Sequence, residues 1–161
     1  MVGEGTKLTC RECGKTYELD EYGYLRAEDG EGRFDHVPNW FEWQRECVRQ
    51  EIEQGSYLLE TPVDIAILKG TKRLYMVGEG KLRHDEKGFH LEGCDGRLNY
   101  EQKPIASHSL NADYFWYEIG DVISIGDGKM LYYCFPKGEG VSVAKARLAT
   151  EELYKIKRKR S

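Results

Sequence analysis

Proline is scarce in this chain, four in 161 residues, and no apolar run approaches the ~20 residues that a membrane-spanning helix needs. The opening residues, Met1 to Lys7, contain no apolar stretch of the kind that directs secretion. Together these absences predict a soluble, cytoplasmic protein without a transmembrane segment. Catalytic signatures are missing too. There is no G-x-S-x-G elbow, no G-x-x-x-x-G-K-[ST] loop and no G-x-G-x-x-G opening a helix. Five cysteines is an odd number, and without a secretory context it argues against a disulfide framework. Only one C-x-x-C occurs.

What is present supports a folded, mainly β protein. Forty percent of the residues are hydrophobic and 12% aromatic, enough for a core. Eleven tyrosines and 18 glycines favour strands joined by many turns. The net charge of −4 conceals a basic C-terminus, where Lys155, Lys157, Arg158, Lys159 and Arg160 cluster behind a more acidic body. Such a tail can touch anionic lipid or nucleic acid, or be no more than a solvated helix end.

The motif with the most chemistry is Cys10-Arg11-Glu12-Cys13-Gly14-Lys15. Two thiolates on one tight turn can share an ion, and structural zinc asks for four ligands in a tetrahedron. The nearest further donors are His36, just before a helix, and Cys47 upon it. The expected metal set is therefore Cys10, Cys13, His36 and Cys47, holding structural zinc. Against this, Cys47 also lies on the apolar stripe of that helix and His36 can be an ordinary surface histidine. Cys94 and Cys134 read as ordinary thiols, Cys134 buried in an apolar run.

Along the chain, Thr16–Leu19 and Tyr24–Ala27 read as a hairpin about Asp20–Gly23. A helix follows, with Pro38 fixing its entry and Asn39 and Glu42 spaced as a capping box. Trp40, Trp43, Cys47, Val48 and Ile52 recur at helical spacing, and Gly55 is placed to end it. Strands are then expected at 63–67, from 74, at 89–93, 97–102, 114–118, 121–126, 130–135 and 141–145. Gly78-Glu79-Gly80 marks a bend or bulge. A closing helix begins at Thr150, a candidate cap. The fold class is α+β, mainly β: a zinc-knuckle hairpin and helix over 1–57, then an antiparallel sandwich or barrel with a C-terminal helix over 58–161.

Two H-x4-D spacings, His90 to Asp95 and His108 to Asp113, could pair a histidine base with an orienting carboxylate. Two-residue patterns arise easily by chance, and neither is followed by a glycine-arginine phosphate-binding element. The chain is therefore read as a non-catalytic module, with an enzyme using one His-Asp pair as a weaker alternative. A zinc-containing nucleic-acid-binding module is another alternative, disfavoured because residues 12–60 are rich in Glu and Asp.

Two resemblances follow from these residues. Residues 61–157, through Gly78-x-Gly80-x-Leu82, Gly88-Phe89-x-Leu91-x-Gly93 and Phe115-x-Tyr117-x-Ile119-x-Asp121-x-Ile123-x-Ile125, resemble the pleckstrin-homology/GRAM superfold. The whole chain, from Cys10-x-x-Cys13-Gly14-Lys15 through Trp40-Phe41-Glu42-Trp43 to Glu151-Glu152-Leu153-Tyr154, resembles the C-terminal extension of Firmicutes 1-acylglycerol-3-phosphate acyltransferase-like proteins. That resemblance implies a bacterial accessory region, a zinc-ribbon-like unit beside a pleckstrin-like domain, and leaves the third and fourth metal ligands open. Pleckstrin-like domains that bind lipid headgroups usually do so with basic residues in the first inter-strand loop. Here that loop is Lys69-Gly70-Thr71-Lys72-Arg73, so Lys69, Lys72 and Arg73 are the implied lipid-binding residues. The implied partner is an anionic membrane surface or a protein, which would make the protein peripheral to the membrane; the rival is a plain solvated turn.

Overall fold

The computed structural model describes residues 2–10, 13–69, 73–116, 118–138 and 140–160. The chain is mainly β, with two antiparallel sheets and two helices. It divides into two compact units, Met1–Cys47 and Val48–Ser161. That division falls inside the first helix, upstream of the 57/58 boundary read from the sequence.

The first unit is a four-stranded meander: β1 (Val2–Glu4), β2 (Lys7–Thr9), β3 (Thr16–Leu19) and β4 (Leu25–Ala27), paired in chain order. The β3–β4 turn is built by Asp20, whose carboxylate accepts the N–H groups of Tyr22 and Tyr24, while Gly23 takes a φ of +86°. Among the described residues, Tyr17 and Leu25 are this unit's buried apolar side chains. Arg33 lies over the Trp43 ring at 4.6 Å, and Phe34 sits 5.4 Å from the same ring. This is little core for a unit of that size, which is the circumstance in which small domains use a metal or covalent staple.

Helix α1 (Val37–Glu53) starts two residues before the expected cap. Asn39 lies within the first turn and its amide donates to Asp35 instead, so the Asn39/Glu42 capping box is not formed. Proline is favoured at the start of a helix, where no N–H is missed, and Pro38 draws the start forward. Gly55, at φ +70°, ends the helix as expected, and the N–H of Ser56 returns to the Glu51 carbonyl at 2.9 Å.

The second unit holds seven antiparallel strands: β5 (Leu59–Lys69), β6 (Arg73–Asp85), β7 (Gly88–Gly93), β8 (Leu98–Gln102), β9 (Asn111–Trp116), β10 (Gly120–Gly126) and β11 (Leu131–Pro136). Their order is β8-β7-β6-β5-β11-β10-β9, so the last strand returns to pair with the first. The sheet is strongly rolled. Tyr100 on β8 and Tyr132 on β11 lie 5.2 Å apart, and the Gln102 side-chain oxygen accepts the Gly126 N–H at 2.9 Å. β6 runs unbroken through Gly78-Glu79-Gly80, where a bulge lets Ile65 face Gly78 and Ala66 face Met76. A Cβ on Gly80 would lie 2.3 Å from the Glu92 carbonyl oxygen, so only glycine allows β7 this close.

Val63, Ile65, Leu82, Leu91, Ile123, Ile125 and Cys134 fill the inner face. Across it lies α2 (Val143–Arg160), presenting Val143, Ala146, Ala149 and Leu153. This corrects two expectations. Residues 143–145 are helical, not the end of a last strand, and Ser142 is the cap: its hydroxyl accepts the Lys145 N–H. Thr150 is interior, its hydroxyl bonded back to the Ala146 carbonyl at 2.9 Å. The 114–118 strand is also displaced to Asn111–Trp116, because Phe115 and Glu118 turn through positive φ at the β9–β10 connection.

Candidate functional site

The cysteine knuckle closes by backbone bonds. Cys10 donates its N–H to the Lys15 carbonyl at 2.8 Å and accepts the Gly14 N–H at 2.9 Å, with Gly14 at φ +71°. Only a residue tolerant of the left-handed region fits there, which is why glycine follows Cys13. Lys15 is anchored to Asp29 at 2.9 Å and to the Glu31 carbonyl; that hydrogen bond to Asp29 raises the lysine pKa and lowers the carboxyl's.

The other two expected ligands, His36 and Cys47, flank and lie on helix α1. His36 bridges to Tyr24, with its ring 4.9 Å from the Tyr24 ring, at the end of β3 opposite the knuckle. Four strand residues at ~3.3 Å each separate the two ends by roughly 13 Å. Cys47 lies eleven residues beyond His36 in the chain, which at ~1.5 Å rise is roughly 16 Å along the helix. Cys10 and Cys13 share a turn and fit one half of a tetrahedral thiolate site, and the intervening helix keeps His36 and Cys47 apart from each other. Among the described residues no group of three or more His, Cys, Asp or Glu is gathered as a metal site. Cys134 is fully buried, which pushes its thiol up to about 12 and leaves it a core residue.

The basic loop is the β5–β6 hairpin tip. Lys69 and Arg73 are direct cross-strand partners at the last pair of the ladder. Lys72 lies outside the described residues. The register also places the β10–β11 turn at this end of the sheet, since Tyr132 pairs with Ile67 and Gly126 with Leu131. That turn carries Lys129. Its one acid, Asp127, accepts the N–H groups of Lys129 and Met130, which hold its carboxyl below the usual range. Arg73 and Lys129 make no ion pair among the described residues.

Elsewhere on the outer face several charges pair, while Lys87 and Lys103 make no ion pair among the described residues. Lys81 pairs with Glu60 at 2.7 Å, Arg83 with Asp85 at 2.9 Å, and His90 lies 3.4 Å from Glu101 and 3.8 Å from Glu92. These line a shallow groove over β6–β8. His90 thus faces glutamates rather than Asp95, which pairs with Arg97 at 3.5 Å. His108 lies against Tyr154, ring centroids 6.1 Å apart.

One buried polar pair escaped sequence reading. His84 is 1% exposed, stacked on Phe89 at 3.7 Å, and its Nδ1 lies 2.9 Å from the Tyr57 hydroxyl. Burial pushes the imidazole down to about 3, against a weaker upward pull from Asp85. It is a neutral core group, and the alternation Leu82, His84 along β6 is the only sequence signal for it. Among the described residues no helix is long and apolar enough to cross a membrane. No protein-family model matches the chain, and no curated protein matches it.

Proposed function

We propose that this chain is a non-catalytic accessory module whose second unit docks on anionic lipid headgroups through the β5–β6 tip. The observation that carries this reading is charge placement: Lys69 and Arg73 end one hairpin and Lys129 sits on the neighbouring turn, whereas Lys81 and Arg83 further along the same face are matched by carboxylates. Lys72 belongs to the same loop by sequence. Each cation near an anionic surface contributes about 1 kcal/mol, so four of them would support salt-sensitive docking against a net acidic protein. The rolled sheet with a C-terminal helix along its inner face supports a pleckstrin-homology/GRAM-like assignment. Service to a phospholipid-synthesising acyltransferase is the biological setting that the sequence resemblance suggests.

In the first unit, Cys10 and Cys13 are proposed as two thiolate ligands of structural zinc, supplying the staple that its small core calls for. Co-sedimentation tests the docking reading, with vesicles of phosphatidylglycerol and phosphatidylcholine compared with phosphatidylcholine alone. The chain pellets with the anionic vesicles, and a Lys69→Ala/Lys72→Ala/Arg73→Ala variant loses about tenfold or more in partitioning. Equal pelleting of both proteins removes the loop from the account.

A further inference from the structure

The cations of the tip border an apolar surface, and its composition changes what kind of contact the tip can make. On the outer face, strand register sets two rows. Leu74 lies opposite Leu68, and Leu131 continues that row on β11. Met76 lies opposite Ala66, and Ala66 opposite Tyr133. Deeper along the sheet this face is closed: Trp116 stacks on Tyr133 at 4.7 Å, and Ala66, Val122 and Phe135 are buried. Towards the tip it is open. Met76 is 55% exposed, Leu68 40%, Met130 39% and Leu131 37%. The apolar surface therefore reaches solvent beside Arg73 and the Lys129 turn, where neither cation makes an ion pair among the described residues and Asp127 is the turn's one acid.

Resting on the docking reading above, we infer that Leu68, Met76, Met130 and Leu131 enter the acyl-chain boundary of an anionic bilayer while the tip cations hold its headgroups. The occupant is a lipid surface because both halves of its chemistry are met on one edge of the sheet. The clustered tip cations complement headgroup phosphates, and adjoining aliphatic and thioether side chains complement the hydrocarbon just beneath. A soluble anion would engage only the cations. The groove over β6–β8 offers no such complement, since apart from Phe89 and Gly88 its lining is polar or charged and supplies no apolar border.

The two components separate by salt, since screening weakens the headgroup contact and leaves apolar insertion. Binding to phosphatidylglycerol-containing vesicles would be measured from about 0.05 to about 0.5 M sodium chloride for the chain and for Leu68→Asn/Met76→Asn. Both sites are exposed, and matched thermal melts would establish equal folding. The chain keeps a salt-resistant fraction, whereas the variant binds at low salt and falls about tenfold or more below it at high salt. A second variant, Met76→Trp, gains emission that brominated acyl chains quench. Insertion is overturned if the chain's own binding vanishes at high salt, if the Asn variant is equally salt-resistant, or if the added tryptophan is not quenched. In those cases electrostatic docking stands. Absence of binding even at low salt overturns the docking reading itself.

Discussion

His84 carries a pH dependence that its position fixes. Folded, the imidazole is held down to about 3 by burial against Tyr57 and Phe89; unfolded, it returns to its ordinary 6.5. Between those values the unfolded chain binds a proton that the folded chain refuses, so stability falls as pH drops below about 6.5 and stops falling near 3. Between pH 7.5 and 4.5 this one residue removes about 2–3 kcal/mol, readable in urea melts. A Tyr57→Phe/His84→Met variant loses that much less over the same interval; equal losses would refute the assignment. Ser124 makes the opposite kind of prediction. Its hydroxyl is buried, the residue 6% exposed, with no hydrogen-bond partner among the described residues. A buried donor left unsatisfied costs more than its removal, so Ser124→Ala raises stability by about 1 kcal/mol in the same melts. A loss of that size would mean the hydroxyl has a partner.

At the scale of elements, the knuckle and the helices divide by how local their causes are. The knuckle, the β3–β4 hairpin and the end of α1 were legible because Gly14, Asp20, Gly23 and Gly55 each act within a few residues of themselves. The start of α2 was not. Val141-Ser142-Val143 alternates like a strand, and its helical fate comes from Val143, Ala146, Ala149 and Leu153 meeting the inner face of a distant sheet. Tertiary burial outweighed local β preference there. His36 and Cys47, close in sequence, are held apart by the rise of the helix that begins at Val37. A direct test of the knuckle is cobalt substitution. The chain shows thiolate-to-cobalt charge-transfer absorption that Cys10→Ser or Cys13→Ser reduces by half or more. Absorption unchanged in both variants, or none in the parent chain, would contradict thiolate ligation.

For the whole molecule, the order of most second-unit strands was readable from turn residues and alternation, and so was a closing helix, whereas β1 and the helical fate of 143–145 were not. The return of β11 to β5 was not, because no local signal encodes which strands meet across seventy residues of chain. That return is what makes the tip. It sets Leu131 and the Lys129 turn beside Lys69 and Leu68, joining a basic loop recognised in the sequence to an apolar edge that was not. The net acidic charge of the chain would resist an anionic surface if its charges were evenly spread. Docking must therefore follow local charge. The most direct test is the partition coefficient to vesicles as the phosphatidylglycerol fraction rises at constant ionic strength. The account predicts a steep rise with anionic lipid that flattens in the Lys69→Ala/Lys72→Ala/Arg73→Ala variant. A partition coefficient that stays near zero, or rises equally in the variant, would contradict it.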